Sequence, residues 1–224
     1  MPRFYRNYKE EIHKGKFSLS GHIRPACVFL AEGDAEAFFF ESLLLERDAN
    51  PDLNVVFCFQ GLGNLGPVLH WLTQEQNFPA VTSIGLLLDA DTDYVAREQS
   101  VIANLQNVQI LPNANISPVE NIVTVGARRI SVFISPGQGR LGAIEEVVLD
   151  EVRTKQEWNC IDRFTQCIHD QFGTLPDPKG IVQTFVSLKN SKLCGTGNAF
   201  KASILDVAHP AYQALTAVFE PLIA

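Results

Sequence analysis

The first two thirds of the chain alternate short, almost wholly apolar runs with segments whose apolar residues recur at helical spacing. ACVFLA (26–31), NVVFCFQ (54–60) and SIGLLLD (83–89) read as strands. The third is so continuously apolar that burial on both faces is predicted. A first helix is expected from about Asp34, taken as its N-cap, to Arg47, with Ala37, Phe38, Phe40, Leu44 and Leu45 on a broad apolar face. A second runs from Pro67 to Gln76, with proline in its first turn. A third covers about 93–105, followed by a short strand VQIL (108–111). NIVTVG and RRISVFISP then read as a hairpin on the sheet edge. After Gly142 the spacing is helical throughout, near 142–152, 157–171, 178–189, 198–207 and 210–222, with breaks at GTLPDPKG, LCGTG and HP. This order predicts an α/β fold: a mostly parallel sheet flanked by helices, with right-handed crossovers and a C-terminal helical extension from about residue 142.

A chain of 224 residues suffices for one full core. The expected organisation is a basic N-terminal arm (1–25) and a single domain (26–224). Hydrophobic content of 46% and charged content of 19% are ordinary for a globular protein. No apolar run approaches the roughly 18 residues of a membrane span. The opening MPRFYRNYKEEIHKGK is polar and basic and does not read as a secretory signal. Five cysteines show no CxxC pair, and Cys27 and Cys58 fall inside apolar runs as small buried hydrophobes. Reduced thiols in a cytoplasmic protein, with no membrane partner, are the expectation.

Charge changes the picture. Residues 1–26 hold Arg3, Arg6, Lys9, Lys14, Lys16 and Arg24 against Glu10 and Glu11, a balance of +4. The rest of the chain, whose total is −7, therefore carries −11. An acidic body argues against broad non-specific nucleic-acid binding, which rests on phosphate neutralisation. The arm itself reads as a solvated terminal segment.

Three acidic clusters stand out, each after an apolar run: Glu32 in ACVFLAEGDAE, then Asp89, Asp91 and Asp93 in SIGLLLDADTD, and Glu145 with Glu146 in LGAIEEVVL. A carboxylate at a strand end must be solvated, paired or bound to a cation. Several on one edge of a parallel sheet point to Mg²⁺ or Mn²⁺, which take carboxylate, water and phosphate oxygens. Glu32, at a strand tip before Gly33, reads as a metal ligand or general base. Glu36 either joins it or, like Asp34, complements a helix dipole. Alternate residues in extended backbone point the same way, so Asp89 and Asp91 can both face one cation, and small Ala90 between them leaves room. Asp93 is a third ligand or, the preferred reading, the N-cap of the next helix. Glu145 and Glu146 are supporting ligands or ordinary first-turn acids.

Gly61-Leu62-Gly63-Asn64-Leu65-Gly66 fits GxGxxG between a strand and a helix, with Asp89 ending the next strand. A strand–helix unit precedes it, however, and the acidic position is multiplied into DADTD. Nicotinamide binding is therefore the lesser reading. Gly61 and Gly63 are taken instead as a tight turn near a substrate phosphate. No GxSxG, HExxH or P-loop occurs, and the five histidines are scattered. Lys179 in DPKG is a candidate phosphate contact.

Together, Glu32-Gly33 after a first strand, Asp89-x-Asp91 after a later one, and the downstream Gly142 to Glu146 resemble the Toprim superfamily. That superfamily includes the catalytic domains of topoisomerases and primases and the OLD-type nucleases. The closest similarity is to a small Toprim-like family with a lysine-bearing helical tail, here the Lys179 region. The resemblance spans most of residues 26–205. It implies a Toprim-like (Rossmann-like) sheet and a divalent cation held by Asp89, Asp91 and Glu145, with Glu32 as general acid or base. The implied activity is nuclease-like phosphoryl transfer on nucleic acid or a nucleotide. The alternative is a non-catalytic metal- or nucleotide-binding module with a protein partner in a larger complex.

Overall fold

The computed structural model describes residues 5–7, by backbone, together with 26–112 and 116–224. Six strands form one sheet: β1 (Tyr5–Asn7), β2 (Cys27–Ala31), β3 (Asn54–Cys58), β4 (Ser83–Asp89), β5 (Ile122–Val125) and β6 (Arg128–Ser135), in the spatial order β1-β3-β2-β4-β6-β5. All neighbours are parallel except β5 and β6, which form the expected edge hairpin. Part of the basic arm is thus not a solvated segment: Tyr5 to Asn7 pair with Val56 to Cys58 of β3. The other basic residues of the arm lie outside the described residues.

Three helices follow the first strands: α1 (Asp34–Glu46), α2 (Leu65–Gln74) and α3 (Tyr94–Asn107). The C-terminal region adds α4 (Ile144–Val152), α5 (Trp158–Phe172), α6 (Pro178–Lys189), α7 (Thr196–Lys201) and α8 (Gln213–Phe219). The last two are shorter than their apolar spacing predicts, α8 being flanked by single 3₁₀ turns at 210–212 and 220–222. None of the described helices is long and apolar enough to cross a membrane.

The sheet divides two cores. On one face, Val28, Leu30, Leu86 and Leu88 pack against Val68, Leu69 and Leu72 of α2 and Val101 and Leu105 of α3. On the other, Phe29 and Leu87 meet α1, α4 and the C-terminal helices. Phe29, Phe40 and Phe219 form an aromatic cluster there, with ring centroids 4.6 Å and 4.8 Å apart for the pairs that include Phe40. Gly85 admits it, since a Cβ at that position would lie 2.7 Å from Phe29.

The run VQIL is not a strand. Val108 caps α3, Gln109 turns at φ 60°, and both Ile110 and Leu111 donate back to the Leu105 carbonyl. Ile110 and Leu111 are buried all the same. A short apolar run satisfies burial equally well in a helix C-terminal turn, and the left-handed residue decides between the two.

The connection β2–α1–β3 packs on one face and β3–α2–β4 on the other, so the chain reverses direction between β2 and β4. A crevice opens beyond the carboxyl ends of strands at such a reversal. Glu32 and Asp89 stand at those two strand ends.

Candidate functional site

A cleft of about 630 Å³ lies at this end of the sheet, between the starts of α1, α4 and α6 and the segment 194–198 that opens α7. Its acidic lining comprises Asp34, Glu36, Asp89, Asp91, Glu145, Glu146 and Asp177, with Lys179 among them.

Glu36 is the most buried of these, 3% exposed. It occupies the third position of α1, and the Gly33 N–H donates to its Oε2 at 2.8 Å. Gly33, not Asp34, is the N-cap, in extended backbone. A Cβ at residue 33 would fall 2.8 Å from that same oxygen, so a side chain here would displace the Glu36 carboxylate. Burial, then the charges of Asp89, Glu145 and Glu32, hold the Glu36 carboxyl well above its ordinary value.

Asp89 accepts from Ile144 N–H at 2.9 Å through Oδ1, so it satisfies the first free donor of α4 from the end of β4. Burial and, next, the Glu145 carboxylate push its carboxyl up to about 7. Glu145 itself accepts from the Thr196 hydroxyl at 2.9 Å, tying α4 to the start of α7. Glu146 is half-buried on the cleft lining.

Glu32 is not part of the cleft lining. Its Oε1 accepts from Leu62 N–H at 3.1 Å and from Arg97 at 3.4 Å, and its Oε2 from Asp89 N–H at 3.3 Å. Burial raises its carboxyl above the ordinary range, with Arg97 opposing the shift. Arg97 also pairs with Asp91, whose side chain is 60% exposed.

Asp91 departs from the arrangement that strand alternation predicts. β4 ends at Asp89, and Asp91 has φ 51°, exchanging backbone hydrogen bonds with Gly142 at 2.8 and 2.9 Å. The extended geometry that would aim both carboxylates one way stops at the first of them. Asp93 is the N-cap of α3, accepting from Ala96 N–H at 2.9 Å. Gly61 and Gly63 are not on the cleft lining. Their turn braces Glu32: Gly61 N–H donates to the Glu32 carbonyl at 3.0 Å, and Leu62 N–H is taken by its side chain. A backbone donor of the glycine turn is thereby committed to a carboxylate. Lys179 does reach the cleft, at the start of α6.

Arg97 and Thr196 were not among the sequence candidates. Arg97 had a readable signal, a lone cation one turn after the DADTD cap. Thr196 had none, because its contact with Glu145 joins residues 51 apart.

Among the described residues, no group of three or more His, Cys, Asp or Glu side chains is arranged to hold a metal ion. The donors nonetheless suit a hard cation that keeps most of its waters and needs one or two carboxylates. Asp89 and Glu145, close enough to raise the Asp89 carboxyl, supply such a pair. Comparison with curated proteins and with solved structures gives no match. Residues 27–224 match the model of a family described as a protein of unknown function, DUF3226, and the chain belongs to that family.

Proposed function

We propose that the acidic cleft binds Mg²⁺ or Mn²⁺ and carries out Toprim-like phosphoryl transfer on a phosphoester, either a nucleotide or nucleic acid. One observation carries this reading. Glu36, Asp89 and Glu145 crowd together at the end of a parallel sheet, and two of them hold raised carboxyl pKa values partly through mutual repulsion. Such an arrangement is unfavourable for stability alone, and functional sites are where perturbed groups concentrate.

Asp89 and Glu145 would hold the cation, with Asp91 at the rim. Bound there, a divalent cation would polarise a phosphoryl oxygen and relieve the repulsion among the carboxylates. Glu36, on the lining, keeps its proton to higher pH than an ordinary glutamate, which suits donation to a leaving oxygen. Glu32, just outside the lining, shares the direction of that shift and would act as the second acid or base. Lys179, on the cleft lining at the start of α6, suits a substrate phosphate. A cytoplasmic setting belongs to the same reading, in keeping with five free cysteines.

A second reading, a non-catalytic metal- or nucleotide-binding module, is favoured by a different observation. The four carboxylates that the resemblance implies already have protein partners: Glu32 and Asp91 have Arg97, Asp89 has Ile144 N–H, and Glu145 has Thr196. Incubation with single- and double-stranded DNA and RNA and small phosphodiesters, with Mg²⁺ or Mn²⁺, separates the two. Cation-dependent cleavage by the wild type that Asp89→Asn abolishes supports the enzyme. Cation binding without turnover on any substrate supports the module.

A further inference from the structure

The register of the sheet sets Ser135, the last residue of β6, beside Asp89, the last residue of β4. Registered neighbours on parallel strands project from the same face, about 4.8 Å apart. That face carries Leu87 and Phe133 into the core with α1 and α4, and at Asp89 it meets the cleft. Ser135 is fully buried, and its Oγ has no hydrogen-bond partner. Among the described residues the other such atom is Gln106 Nε2 on α3, on the opposite side of the sheet.

A buried hydroxyl without a partner costs about 1–3 kcal/mol, so serine at this strand end is unfavourable for packing alone. Nearby, Arg97 is paired with Glu32 and Asp91, and the charges that raise the Asp89 and Glu36 carboxyls come from carboxylates, Glu32, Asp91 and Glu145 among them. Ionised, they only accept, and Ser135 is the neutral side chain beside Asp89 that can donate. Asp89 takes Ile144 N–H on Oδ1, which leaves its second oxygen for other partners.

Resting on the cation site proposed above, we propose that Ser135 is a positioning residue for Asp89. A rotation about χ1 lets its hydroxyl donate to Oδ2, and with Ile144 N–H on Oδ1 this fixes the carboxylate for a divalent cation. Partners of this kind are what orient ligating carboxylates, and losing one lowers metal affinity about 10–100-fold.

The test is Mn²⁺ titration of the full chain by calorimetry at pH 8, comparing wild type, Ser135→Ala and Ser135→Thr, with the metal-free melting temperature of each. Ser135→Ala is expected to weaken Mn²⁺ binding about tenfold without lowering the metal-free melting temperature, and Ser135→Thr to restore most of the affinity. Ser135→Cys, a weak donor of similar size, carries the same expectation if the alanine variant fails to fold. Wild-type affinity in Ser135→Ala overturns the assignment of Ser135 while leaving the cation site standing. Absence of Mn²⁺ binding by the wild type overturns both.

Discussion

Arg97 of α3 and Glu32 at the end of β2 form an ion pair at 3.4 Å, their side chains only 8% and 15% exposed. Arg97 also pairs with Asp91, so one guanidinium joins the two strand-end segments that flank the chain reversal. Removing one partner of a buried pair leaves the other charge uncompensated. Arg97→Met is expected to destabilise the fold by about 3 kcal/mol and to raise the Glu32 carboxyl further, since Arg97 now lowers it. Urea denaturation measures the loss. The double variant with Glu32→Gln should recover part of it, and a purely additive double variant would refute the coupling.

Stability should fall as pH rises through the weakly acidic range. The Asp89 carboxyl stands at about 7, and Glu32 and Glu36 are shifted in the same direction. A carboxyl with a raised pKa binds its proton more tightly in the folded chain. Its stabilisation is complete below the unfolded value of about 4 and is lost as pH climbs through the folded one. The metal-free melting temperature is therefore expected to drop between about pH 4 and pH 7. Asp89→Asn keeps an acceptor for Ile144 N–H and should remove a share of the drop on the order of a few kcal/mol. Saturating Mg²⁺ above pH 7 should reverse it in the wild type. An equal fall in the variant would assign the effect elsewhere.

Gly142 exchanges backbone hydrogen bonds with Asp91 at φ 123°, and a Cβ there would lie 2.8 Å from the Glu146 side chain. Gly142→Ala is expected to cost about 1–3 kcal/mol and to disturb the Asp91 turn. Thermal unfolding reads the first effect and Mn²⁺ affinity the second. A variant as stable as the wild type would show that the turn tolerates a side chain.

Away from the cleft, Glu151 of α4 is fully buried and accepts from the Tyr212 hydroxyl at 2.8 Å, from Lys155 at 2.7 Å and from Asp206 N–H. Tyr212→Phe should cost about 1.5–3 kcal/mol, the range for hydrogen bonds to charged groups. Cation binding should be unchanged, which separates this structural network from the site. A matching loss of Mn²⁺ affinity would join the two.

By itself the sequence determined the succession of strands and helices apart from β1 and the VQIL turn, the parallel sheet and the acidic strand ends. These follow from local apolar periodicity and from where charge interrupts it: SIGLLLD must be buried, and the aspartate that closes it must sit at the rim. Asp93 as a helix cap and the hairpin of β5 and β6 were legible for the same reason. Tertiary structure alone decided what each carboxylate touches. VQIL became a helix-end turn because Gln109 adopts a left-handed conformation, and Asp91 left the strand because it pairs with Gly142. Glu32 acquired Arg97 from 65 residues away, and Ser135 came to stand beside Asp89 through the β4–β6 register. Periodicity carries burial, a property of one residue and its near neighbours. Charge compensation and side-chain pairing depend on segments that meet only once the chain has crossed the sheet.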